Sequence, residues 1–146
     1  MAPNDTTSGP PDSTRLRRWW QEHSELDRLV TDLQDELGCG NASTSGAGAA
    51  LERLADALAT HLSVEEEVYF PLVERLSGEH AGTTRKARLV HKDLSADLNL
   101  IREHIAEQNL DAAGIALATL LERFRSHEQM ESRMIEDLTA QRPERY

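Results

Sequence analysis

Residues 111–140 read DAAGIALATLLERFRSHEQMESRMIEDLTA. Apolar residues recur at steps of three and four: Ala113, Leu117, Leu120 and Phe124, then Met134 and Leu138. That spacing draws one stripe along an α-helix, and no strand alternation fits it. Between Phe124 and Met134 the stripe is filled by His127 and Glu131. Two polar groups thus stand where a bundle core wants Leu or Ile. Burying an unpaired imidazole or carboxylate is costly, so such groups need a partner.

The same His-x-x-x-Glu spacing occurs upstream at His61 and Glu65. It lies in a second helical segment, from about Ala49 to Leu76, with the seam Leu51, Leu54, Leu58, His61, Glu65, Val68 with Tyr69, and Leu72. A first segment from about Thr14 to Leu37 has the seam Leu16, Trp20, His23, Leu26, Val30, Leu33 and Leu37. A third from about Gly82 to Glu107 has Ala87, His91, Leu94, Leu98, Ile101 and Ile105. Ser13 or Thr14 is placed to cap the first helix and Asp111 the fourth. Gly38-Cys39-Gly40-Asn41 ends the first, and the Gly/Ser/Ala stretch to Gly48 reads as a loop. Pro71 should kink the second helix near its end, before Ser77-Gly78 closes it. Short connections between four helices predict an all-α, up-down-up-down four-helix bundle over residues 14–142. Residues 1–13, rich in Pro, Ser and Gly, read as a disordered tail.

Residues four apart on a helix share a face, so each His-x-x-x-Glu pair points one way. In an alternating bundle, His23, Glu65, His91 and Glu131 all fall roughly 13–17 Å from the same end at 1.5 Å per residue. Four imidazoles and two carboxylates converging at one level of a core are hard to satisfy by hydrogen bonds alone. A metal cluster satisfies them, and the mixed nitrogen and oxygen set suits Fe, Mn, Co or Zn without choosing among them. Tyr69 shares the face of His61 and Glu65; it is placed to ligate metal as a phenolate, to bond a bridging oxygen as a phenol, or to be an ordinary core tyrosine. Asp27, four residues after His23, is placed either to orient an imidazole or to be a solvated charge, the latter favoured; Glu66, Glu67 and Glu128 flank the motifs, within reach of metal only if the helix rotates, and read as solvated. His80 and His104 read as surface residues, and Cys39 as an exposed loop thiol. Only one of the adjacent Trp19 and Trp20 can point fully inward.

The formal net charge of −10 argues against nucleic acid and anionic membrane surfaces as partners. With one cysteine no disulfide forms within the chain. No apolar run is long enough for a signal peptide or a bilayer span, so a cytoplasmic protein, monomeric or weakly dimeric, is expected. The Glu-x-x-His pairs of ferritin-like bundles are absent, as is the His-Glu-x-x-His helix of zinc proteases.

The order His, His-x-x-x-Glu, His, His-x-x-x-Glu on four successive helices resembles the hemerythrin-like (HHE cation-binding) family. So does the stretch His61-Leu-Ser-Val-Glu-Glu-Glu-Val-Tyr-Phe-Pro71. The resemblance implies two non-haem iron ions bridged by two carboxylates and an oxo or hydroxo group. It implies His23, His61, His91 and His127 as iron ligands, with Glu65 and Glu131 as bridges. Oxygen-carrying members have a further histidine four residues after the third-helix ligand, where this chain has Ser95. Its absence implies an iron poorer in nitrogen and more open to another ligand. That turns the expected chemistry from reversible carriage of dioxygen toward consumption of hydrogen peroxide or nitric oxide, with Tyr69 as the candidate acid. An oxygen, redox or iron sensor without turnover is the alternative, and a metal-storage or structural bundle a third reading.

Overall fold

The computed structural model describes residues 12–38 and 44–141. Helix α1 spans Asp12–Gly38. Helix α2 spans Thr44–Val64 and runs through a π-helical turn, Glu65–Tyr69, into α3, Phe70–Leu76. A 3₁₀ turn, Gly78–His80, leads to α4, Ala81–Ala106, and α5 covers Leu110–Gln141. The described residues contain no strand. No described helix is long and apolar enough to cross a membrane.

Several boundaries differ from the sequence expectation. Helix α1 starts at Asp12, so Ser13 and Thr14 lie inside it rather than at its cap. Helix α2 starts at Thr44, not Ala49, because burial of Ala47 and Ala50 recruits a stretch whose glycines disfavour helix. The cap of α5 is Asn109, not Asp111: its Oδ1 accepts from the Ala112 N–H at 3.2 Å. Before it, Gln108 closes α4 in the left-handed region at φ 61°, with the Asn109 N–H donating to the His104 carbonyl at 2.8 Å. Glycine usually occupies that position. The expected tail up to residue 11, Cys39 and the loop through residue 43 lie outside the described residues.

Pro71 takes a form that periodicity did not predict. Proline cannot donate to the carbonyl four residues back. The preceding turn widens, and the Phe70 N–H reaches the Glu65 carbonyl, five residues earlier. The widened turn carries both Glu65 and Tyr69 inward while Val68, expected in the seam, turns out to 40% exposure. In α1 the inward tryptophan is Trp19, fully buried, and Trp20 is half exposed. Leu16, Trp19, His23, Leu26, Val30 and Leu33 are all buried and keep steps of three and four. Trp20 stands one position, about 100°, off that stripe.

Helix α1 packs on α2 and α5, and α4 packs on α2 and α5, closing a ring. The apolar core falls into two clusters. Along α1 the smaller cluster (Leu16, Trp19) precedes His23 and the larger (Leu26, Val30, Leu33) follows it. Along α2 and α3 the order reverses, the larger cluster coming before Glu65 and the smaller after it. It reverses again in α4, where Ala87 precedes His91 and Leu94 follows, and once more in α5, where Phe124 precedes His127 and Met134 follows Glu131. The polar layer therefore separates the two clusters. Thr84 and Arg88 of α4 both donate to Glu74, fastening α4 to α3 beside this layer.

Candidate metal centre

The six residues singled out at the core seam are all buried: His23, His61, Glu65, His91, His127 and Glu131. They form two groups of four. One holds His23, His61, Glu65 and Glu131; the other holds Glu65, His91, His127 and Glu131. Within each group one donor atom per residue lies within 4.8 Å of all the others. The carboxylates of Glu65 and Glu131, with no exposed side-chain surface, are common to both. Helices α1 and α2 supply the imidazoles of one group, and α4 and α5 those of the other.

Glu65 sits at the centre of the contacts. Its Oε2 accepts from Trp19 Nε1–H at 2.7 Å and lies 2.9 Å from His61 Nε2. Its Oε1 lies 2.9 Å from His91 Nε2 and 3.3 Å from His127 Nε2. Glu131 Oε1 lies 2.9 Å from His23 Nε2, and its Oε2 2.7 Å from His127 Nε2. Electrostatics divides the two carboxyls. Burial and the adjacent Glu65 charge push Glu131 well up. Burial also opposes the charge on Glu65, but His127, His61 and His91 outweigh it and hold this carboxyl well below its ordinary range. Burial and the neighbouring His61 lower His23 to about 4, and its Nε2 is hydrogen-bonded with Glu131 Oε1. Burial opposes the charge on His61 as well, yet the hydrogen bond to Glu22 and the adjacent Glu65 carboxylate raise it to about 10.

These donors fit a metal better than they fit one another. His61 Nε2, His127 Nδ1 and Glu131 Oε2 are buried with no hydrogen-bond partner. His61 Nε2 and Glu131 Oε2 nevertheless lie within 2.9 and 2.7 Å of an opposite group. The distances are short but the angles make no hydrogen bond, while the donor atoms of each group gather within 4.8 Å of one another. Ligands must also lose their protons to bind metal, and His61 carries one to be lost.

A second layer surrounds the first, and sequence reasoning missed it. Glu22 Oε1 accepts from His61 Nδ1 at 3.1 Å, and Glu66 Oε2 accepts from His91 Nδ1 at 2.6 Å. Glu128 Oε2 lies 4.0 Å from His23 Nδ1. Glu66 and Glu128 were expected to be solvated; Glu66 is exposed yet bonded, and Glu128 is mostly buried. Burial, with Asp27 alongside, raises Glu128 to about 8. Asp27 itself is exposed, as expected. The available signal was a glutamate next in sequence to an inner residue in each case. Tyr69 lies against this second layer. Its hydroxyl donates to Glu22 Oε2 at 3.0 Å, and its ring stacks on Trp19 at 4.9 Å between centroids. Burial and the Glu22 charge raise the phenol above its ordinary value. Phe70 stacks on His91 at 5.3 Å, and the Arg88 guanidinium covers its other neighbourhood at the same distance. Ser95 is exposed, and the two groups are equal in nitrogen, with two imidazoles each. His80, in the 3₁₀ turn, lies 3.0 Å from Asp137, and His104 is half-buried; neither is near the cluster.

Neither the curated proteins nor the solved structures compared with this chain gave a match. The family model described as Hemerythrin HHE cation binding domain matches residues 14–138. With that span covering nearly all of the helices and all six clustered side chains, the chain belongs to the hemerythrin HHE cation-binding family.

Proposed function

We propose that this chain is a non-haem di-iron protein on an up-down-up-down bundle that consumes hydrogen peroxide or nitric oxide. The observation that carries the reading is the pair of buried carboxylates common to two four-residue donor groups. The alternating order of the two apolar clusters along the helices supports the antiparallel topology. His23 and His61 would hold one iron and His91 and His127 the other, with Glu65 and Glu131 shared. Bound there with an oxo or hydroxo bridge, the two irons supply redox chemistry and an exchangeable coordination position.

The chain's own part is positioning, exclusion of water and proton storage. Trp19 Nε1–H fixes the orientation of Glu65. Glu22 and Glu66 hold the tautomers of His61 and His91 so that each Nε2 faces the cluster. Trp19, stacked on Tyr69 and edge-on to Phe70, closes one side of the layer against water. Tyr69 acts through Glu22 as a positioning residue: its O–H and His61 Nδ1–H donate to the two oxygens of one carboxylate. Glu22 is one-third exposed, so a proton at its oxygens exchanges with solvent. Ser95 supplies no fifth imidazole, which favours turnover over reversible carriage of dioxygen.

The iron-loaded protein should consume hydrogen peroxide or nitric oxide, and His127→Ala should abolish this. An iron-loaded protein inert to both would defeat the proposed activity. Tyr69→Phe should leave the visible spectrum of the iron form unchanged; loss of a band would mean direct ligation instead.

A further inference from the structure

Two stacked aromatic rings connect the shared carboxylate to the surface. Trp19 Nε1–H donates to Glu65 Oε2 at 2.7 Å, and Glu65 belongs to both donor groups. The Trp19 indole lies nearly face to face on the Tyr69 phenol, with 4.9 Å between centroids and 14° between planes. The Tyr69 hydroxyl donates to Glu22 Oε2 at 3.0 Å, and Glu22 is one-third exposed. Every link is a direct contact. Indole and phenol rings give up one electron more readily than phenylalanine or aliphatic side chains do. Among the described residues Trp19 is the one buried indole and Tyr69 the one buried phenol, and they touch.

The outer end of the stack forms part of the wall of a groove of about 750 Å³ between α1 and α3. That volume suits a small organic molecule. Arg15, Arg18 and Arg75 line it beside the apolar Val68, which the π turn leaves 40% exposed. The three arginines outnumber the groove's two carboxylates, Glu22 and Glu67, in a chain of formal net charge −10. Glu22 is already engaged by His61 and Tyr69. Arg18 is exposed, and its charge acts on the Tyr69 phenol. An aromatic anion fits such a wall, its carboxylate on a guanidinium and its ring on the apolar side.

We propose that Trp19 and Tyr69 relay single electrons to the metal centre from an anionic aromatic donor, a phenolic carboxylate, bound in this groove. The inference rests on the reading of the chain as a peroxide-consuming di-iron protein. Reduction of one hydrogen peroxide takes two electrons and two protons and gives two waters. Each electron leaves Tyr69 through the Trp19 ring, and the phenol proton crosses its hydrogen bond to Glu22 Oε2. A donor in the groove then returns one electron to the Tyr69 phenoxyl, and Glu22 returns the proton. Two donor phenols thus become two phenoxyls, and the two protons they release match the two consumed.

Ferulate is the probe. The iron-loaded full chain is mixed with peroxide and rapidly frozen for electron paramagnetic resonance. A tyrosine radical should appear, and ring-deuterated tyrosine should narrow its signal. The chain has two tyrosines, so Tyr146→Phe should keep the signal and Tyr69→Phe lose it. Should Tyr69→Phe fail to load iron, the deuterium label in Tyr146→Phe still assigns the radical to Tyr69. Trp19→Phe, compared per iron bound, should lower the signal severalfold. Ferulate should quench it and be oxidised at two molecules per peroxide. The metal-free protein should bind ferulate in equilibrium dialysis. Arg18→Glu should weaken that binding about tenfold by removing a charge-assisted contact, while binding of guaiacol, which lacks the carboxylate, stays the same. Peroxide consumed with no tyrosine radical, a radical surviving Tyr69→Phe, or ferulate binding undiminished by Arg18→Glu overturns the relay and leaves the peroxide reading standing. Iron-loaded protein inert to peroxide overturns both.

Discussion

The two apolar clusters on either side of the polar layer are built differently. The larger, running from Leu26 and Val30 through Leu58, Ile101 and Phe124, is aliphatic apart from one phenylalanine and touches the cluster only at its edge. The smaller contains Trp19, Tyr69 and Phe70, and two of these hydrogen-bond into the site or its second layer. The first is a store of folding free energy; the second is a scaffold for chemistry. A protein that buries six ionisable side chains in its core must offset their desolvation elsewhere, and the aliphatic end is where it does so.

That division predicts opposite responses to substitution. In the aliphatic cluster, Leu58→Ala or Ile101→Ala should cost about 2–5 kcal/mol of stability in denaturant unfolding, with metal content of the folded fraction unchanged. In the polar layer, Glu131→Leu should do the reverse: metal binding is lost in a protein that still folds without metal. A Glu131→Leu variant that still loads metal would break the comparison. Trp19→Phe lies between the two. It keeps most of the packing and removes the N–H donated to Glu65, so it should destabilise by about 1–3 kcal/mol and also weaken metal binding.

Proton balance sharpens the contrast further. His61 stays protonated up to about 10 in the metal-free protein. Metal must displace that proton, so loading at neutral pH should release protons, measured by calorimetry in buffers of different ionisation enthalpy. Affinity should rise with pH and fall on acidification. In the metal-free protein the raised His61 contributes stability fully present below its ordinary value of 6.5 and lost as pH rises through about 10. The smallest effect is local and far from both: Gln108→Gly should stabilise by roughly 0.5–1 kcal/mol, because only the backbone of Gln108 is strained.

The sequence made the helices legible because apolar steps of three and four persist through all of them, and it made the six inner residues legible because they interrupt those steps. Its failures share one cause: they depend on a neighbouring helix or on a change of helical pitch. Trp19 rather than Trp20 faces inward because the stripe through His23 passes through it, a distinction of a single position. The π turn before Pro71 moves Val68 out and Tyr69 in, which a constant 3.6-residue period does not describe. Glu22, Glu66 and Glu128 lie beside the seam of their own helices and look solvated. Their partners, the imidazoles of the adjacent helix, are invisible to a reading made one helix at a time.

The account stands or falls on whether two metal ions share Glu65 and Glu131. Iron content per folded chain after anaerobic loading and removal of excess metal tests this most directly. The account predicts two irons per chain, with binding of both disrupted in Glu65→Ala, since each donor group contains that carboxylate. One iron or fewer per chain, or two retained by Glu65→Ala, would contradict it.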